Sequence, residues 1–202
     1  MRLHLVEMRD MRLKALVMAV GLTAAAAGAE DRKTSFGPDV AICMQQIGNP
    51  RVREASRIAT RIFGDIGVRL EWRPSTGCPV AADAVHVSLS SEIPKEATTH
   101  ALAYAFPTDG TRIVILQNRV EAISSGRFSL VLAYVLVHEI THIFQGSFRH
   151  SSEGIMKARW TRNEFCHITD HSLSFTDDDV DLIYDGLDSR FAKTPKVTRT
   201  GR

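Results

Sequence analysis

Between Phe128 and Phe144 the chain reads FSLVLAYVLVHEITHIF, an apolar run too long for a strand. A helix that is apolar on nearly every side belongs at the centre of a domain, so this run fixes the middle of the fold. Ser124-Ser125-Gly126 precedes it and is expected to supply the N-cap, and Gly146 is placed to end it. Near its C-terminal end stand His138, Glu139 and His142, and His150 follows shortly after. Burying a polar group without a partner costs roughly 2–7 kcal/mol, so side chains of this kind in such a helix need a chemical reason.

HEITH fits the pattern H-E-x-x-H. Residues four apart on an α-helix share a face, one turn along, so His138 and His142 can aim their imidazoles at one cation. Zn²⁺ is held by such nitrogens at about 2.0–2.1 Å. Glu139, one residue from the first ligand, is expected to stand beside the metal as general base and take the proton of a zinc-activated water. A hydrolytic zinc site uses three protein ligands and an open position. The candidates for the third are His150, Glu153, Glu164, His167 and His171.

The rest of the pattern sets a mixed domain around this helix. Val52, Ala55, Ile58, Ala59, Ile62 and Phe63 recur at helical spacing after the loop Gly48-Asn49-Pro50, with Gly64 and Gly67 beyond them. Strands are predicted at VRLEW (68–72), AVHVSLS (84–90), HALAYAF (100–106) and TRIVILQ (111–117), the last pair joined by a turn at Pro107-Thr108-Asp109-Gly110. A final helix begins at Thr176, where Thr176 and Asp179 form a capping-box pattern, and Gly186 followed by Leu187 is expected to stop it. The fold class is therefore α+β, with a twisted mixed sheet of about four strands.

Composition bounds the function. With 202 residues, 44% hydrophobic and a formal net charge of +2, the chain suits one domain with a real core and offers no charge excess for nucleic acid. From Met11, an alternative start, Arg12 and Lys14 precede an apolar run from Ala15 to about Ala26, and Ala27-Gly28-Ala29 provides small residues for cleavage. Residues 1–29 are therefore expected to be a signal peptide, 30–188 the folded domain and 189–202 a basic, disordered tail. The protein is expected to be secreted or periplasmic, with no stable membrane span once the signal is removed. Three cysteines allow one internal disulfide, for which Cys43 with Cys78 is the expected pair; Cys166 is either a rival partner or a small buried side chain.

HEITH, then Gly146, His150 and Gly154-Ile155-Met156, resembles the metzincin branch of zinc peptidases. The resemblance implies a zincin-like domain in which the active-site helix stops at a glycine and the chain turns to bring in a third histidine. A methionine-bearing turn then passes beneath the metal. On the matching positions it implies His138, His142 and His150 as ligands, Glu139 as base and Met156 as the turn methionine. The usual spacing is H-E-x-x-H-x-x-G-x-x-H. Here Gln145 and Phe148 stand where that pattern has glycine and histidine, and the real Gly146 and His150 come one and two residues later. The gluzincin branch offers a rival, since Asn163-Glu164 resembles the Asn-Glu that supplies its third ligand.

In the metzincin-like reading HALAYAF is the edge strand above the cleft, able to pair with an extended peptide. No oxyanion-stabilising side chain stands out, Tyr104 being conceivable. The expected function is a secreted zinc-dependent endopeptidase acting on a peptide or protein substrate. A zinc-bearing binding module without catalysis, and a metal-free extracellular binding domain, are the alternatives.

Overall fold

The structure, a computed structural model, describes residues 39–78, 84–92, 100–108 and 110–192. The expected signal segment lies outside these residues, as does most of the basic tail.

The first element is one that the sequence pattern did not reveal. β1 (Asp39–Met44) has β2 on one side and β3 on the other, parallel to both, and its Val40, Ile42, Cys43 and Met44 are all buried. A strand covered on both faces loses the alternation that marks strands in sequence, and DVAICM is too short and too uniformly apolar to be told from a helix fragment. The sheet consequently has five strands among the described residues, not about four.

α1 (Pro50–Asp65) starts where the loop residues place it. The Asn49 side chain accepts from the Arg51 N–H at 2.9 Å, and Pro50 occupies the first helical turn, where no N–H is needed. Its buried stripe is Val52, Ala55, Ile58, Ala59 and Phe63. β2 (Arg69–Pro74) returns beneath it, and the Trp72 indole N–H donates to Thr60 Oγ1 at 2.8 Å, locking strand to helix.

β3 (Val85–Ser90), β4 (Ala103–Phe106) and β5 (Arg112–Leu116) complete a mixed sheet of order β2-β1-β3-β5-β4. All its pairings are parallel except β4 with β5, and β4 is an edge strand, as expected for HALAYAF. Register places Ala103 opposite Ile115 and Ala105 opposite Ile113, all four buried in the core that also contains the apolar run. Strand alternation puts Tyr104 on the opposite face of the sheet from Ala103 and Ala105.

α2 (Gln117–Ile123) was not expected; its seven residues are too few to show a period. The central helix, α3 (Phe128–Gln145), is buried almost throughout and packs against α1, β4, β5 and α5. By length and composition α3 could cross a membrane, yet here it is the core helix of the domain. Its N-cap is Arg127, without a side-chain hydrogen bond; Ser124 instead donates to the Glu121 carbonyl at the end of α2. Gly146 does end α3, at φ +60°, and the Ser147 N–H reaches back to the His142 carbonyl at 3.2 Å.

α4 (Arg162–Thr169), also unexpected, opens with a complete capping box between Thr161 and Glu164. α5 (Asp177–Ala192) begins with the capping box expected of Thr176 and Asp179. It does not stop at Gly186. A Cβ at that position would overlap the carbonyl of Phe144, so the glycine permits α5 to cross α3 at close approach. The helix therefore continues through residues 189–192, which the sequence assigned to the tail. Cys43 and Cys78 form the expected disulfide, with a Cα–Cα distance of 5.8 Å, and Cys166 is free and exposed rather than buried.

Candidate metal centre

His138 and His142 lie one turn apart near the end of α3, and the chain after Gly146 brings His150 back to them. The three ring centroids are 4.8, 4.8 and 5.3 Å apart, and one nitrogen from each ring lies within 4.8 Å of the others. The group could hold a metal ion. His142 is buried, His138 is half-buried and His150 is exposed, so the cluster opens to solvent on the loop side.

Main-chain carbonyls decide the tautomers of the first two rings. His138 Nδ1–H donates to the Ile155 carbonyl at 2.8 Å, and His142 Nδ1–H donates to the Ser147 carbonyl at 3.0 Å. A carbonyl only accepts, so the proton stays on Nδ1 and the Nε2 lone pairs are left facing each other, 3.2 Å apart. A shared proton would require an imidazolium. Burial opposes that, pushing His138 down to about 4 and His142 to about 3, the latter also through its histidine neighbours. Two facing lone pairs in a largely desolvated site leave room for a cation that both could bind.

Glu139 is buried on the next position of α3. Burial raises its carboxyl to about 8, opposed only by the Ala105 N–H of β4. The Leu116 N–H donates to Leu102 O, so in this antiparallel pair residues 103 and 105 turn their backbone groups outward, away from β5. Glu139 thus meets the open edge of β4. Signals of this kind are main-chain and leave no trace in residue types.

The segment Gly154-Ile155-Met156 meets the cluster through the Ile155 carbonyl, to which His138 bonds. Gly154 adopts φ +71°, and a Cβ there would lie 2.6 Å from the Ser174 carbonyl oxygen. The Ile155 carbonyl accepts from both His138 and the Trp160 indole N–H, the latter at 3.2 Å, while Met156 is fully buried. Trp160 stands edge-on to the His138 ring at 5.8 Å. Neither Trp160 nor the two carbonyls could be singled out from residue spacing.

The other ligand candidates fall elsewhere. Glu164 is buried, but Lys157 Nζ donates to its Oε1 at 2.6 Å, and the Thr161 N–H and hydroxyl donate to its Oε2, each at 2.6 Å. Those bonds hold its carboxyl down to about 2 and give it a capping role. Glu153, His167 and His171 are exposed and outside the cluster. A second close group, Cys43, Cys78 and His86, has both sulfurs committed to the disulfide.

No family model matches the sequence, and no curated protein is significantly similar to it.

Proposed function

We propose that the chain is a zinc-dependent endopeptidase with a zincin-like domain, secreted or periplasmic, as its His138, Glu139, His142 and His150 suggest. The observation that supports this most is the pair of Nε2 lone pairs 3.2 Å apart. Two nitrogens on one tetrahedral zinc, each at 2.0–2.1 Å, would be about 3.3–3.4 Å apart. Three imidazoles with Nδ1 bonds to carbonyls on two of them suit zinc, which favours neutral nitrogen donors oriented by such partners. The disulfide fits an oxidising compartment.

In this reading His138, His142 and His150 hold the ion. Zinc, when bound, supplies Lewis acidity that lowers the pKa of water and polarises a carbonyl. Glu139, ionised once a cation lies beside it, would accept the proton of the attacking water and return it to the leaving amine. The outward backbone groups of Ala103 on β4 pair with an extended peptide, which brings a scissile bond alongside Glu139.

The test is metal analysis of the purified chain together with hydrolysis of a mixed peptide library. One zinc per chain and cleavage abolished in Glu139→Gln, with zinc retained, are expected. No stoichiometric zinc, or full cleavage by the Gln variant, would refute the proposal.

A further inference from the structure

The three histidines are not held alike. His138 and His142 sit on a helix and each has a carbonyl fixing its ring, whereas His150 sits on a loop and has no hydrogen bond to its ring among the described residues. Something else must hold it in place. Its two neighbours share one partner: Arg149 Nη1 and the Ser151 hydroxyl both donate to Oδ1 of Asp179, at 3.0 and 2.5 Å. Asp179 has no exposed surface, and its other oxygen accepts from the Thr176 N–H at 3.2 Å. Its carbonyl accepts from the side chain of Gln145, the last residue of α3, at 3.3 Å.

One buried residue thus joins the end of the helix bearing two histidines, through its carbonyl, to both sides of the third, through its carboxylate. Asp178 also approaches Arg149, at 3.8 Å, but it is exposed and the contact is long. The Ser151 N–H donates to the Met156 carbonyl at 2.9 Å, which ties the same loop to the methionine turn. A buried carboxylate without partners is costly, so the Arg149 and Ser151 bonds are strongly retained and the loop between them has little freedom.

We propose that Asp179 is the positioning residue for His150, setting the third metal ligand in place before metal arrives. This rests on the zinc reading above and extends it to a residue remote in sequence from the motif. Outer partners of metal ligands are worth about 10–100-fold in affinity.

The test compares the full chain with Arg149→Gln/Ser151→Ala, Arg149→Lys and Thr176→Ala. Zinc affinity is measured by competition with a chromophoric chelator, and exchange of the Ser151 amide is measured in metal-free protein. The double variant is expected to lose about 10–100-fold in affinity and to exchange faster at Ser151. Arg149→Lys should keep most of the affinity. Thr176→Ala removes only the hydroxyl that accepts from the Asp179 N–H and keeps the backbone N–H that donates to its carboxylate, so it should lower the melting temperature and leave both readouts unchanged. Unchanged affinity in the double variant overturns the proposal whatever the exchange shows, and so does an equal loss in Thr176→Ala. Failure of the unaltered chain to bind zinc overturns the proposed function and this inference with it; loss confined to the variants bears on Asp179 alone.

Discussion

Replacing Glu139 with Gln should stabilise the metal-free protein, and only at neutral and alkaline pH. Burial holds the Glu139 carboxyl near 8, against 4.5 for the free side chain. A raised folded-state pKa means that the acid's contribution to stability is fully present below 4.5 and is lost as pH rises through 8. The difference of about 3.5 units, at about 1.4 kcal/mol each, sets a penalty near 5 kcal/mol once the group is ionised. Gln can accept the Ala105 N–H as Glu does, but its buried amide N–H groups cost about 1–3 kcal/mol if unmatched. The net gain is then about 2–4 kcal/mol at pH 9, or on the order of 5–10 °C for a domain of this size. At pH 4 both folded and unfolded Glu139 are mostly protonated, and the advantage disappears. Thermal unfolding of chelator-treated wild type and variant, followed by circular dichroism from pH 4 to pH 9, reads this directly. A melting difference that does not change with pH, or a Gln variant less stable at pH 9, would show that the carboxyl is not held in a desolvated site.

Other substitutions separate the roles assigned above. His150→Ala should lower zinc affinity at least tenfold, roughly the scale seen for metal-site partners, whereas Glu164→Ala should leave it unchanged and lower the melting temperature by uncapping α4; chelator competition distinguishes them. Gly186→Ala should cost at least about 2–3 kcal/mol in denaturant unfolding, because the obstacle is the Phe144 backbone and cannot rotate away. Cys78→Ser opens a link spanning 35 residues and should cost about 3–4 kcal/mol by the loop-entropy relation, measured the same way. Phe148, 62% exposed and with its ring 6.5 Å from that of His142, offers an apolar surface at the mouth of the cluster; Phe148→Ala should raise KM for peptides with bulky apolar side chains and leave kcat unchanged.

Sequence pattern located this site well because its two principal histidines are on a helix, where spacing converts directly into shared direction. His150 was one of five candidates by residue type and was singled out only by resemblance: a loop has no fixed period, and its eight-residue separation from His142 has no unique geometry. Asp179 was visible as a cap and invisible as a tether, since nothing local links residues 149 and 179. Glu164 looked like a ligand because an acid after Asn invites that reading, but the Thr161 three residues before it was the better signal. Gly186 misled for a similar reason. Glycine near a helix end serves equally to terminate or to let another backbone pass, and only the crossing with α3 decides between them. β1 was missed because burial on both sides erased its alternation.

The bonds from His138 to Ile155 and from His142 to Ser147 have a consequence for how such a chain can vary. The stretch that delivers the third histidine is anchored at both ends by the first two, through oxygen atoms of its own backbone. Lengthening or shortening it near either anchor would swing an imidazole already in place, and the bonds of Arg149 and Ser151 to Asp179 fix its middle as well, so the length of this stretch has little room to change.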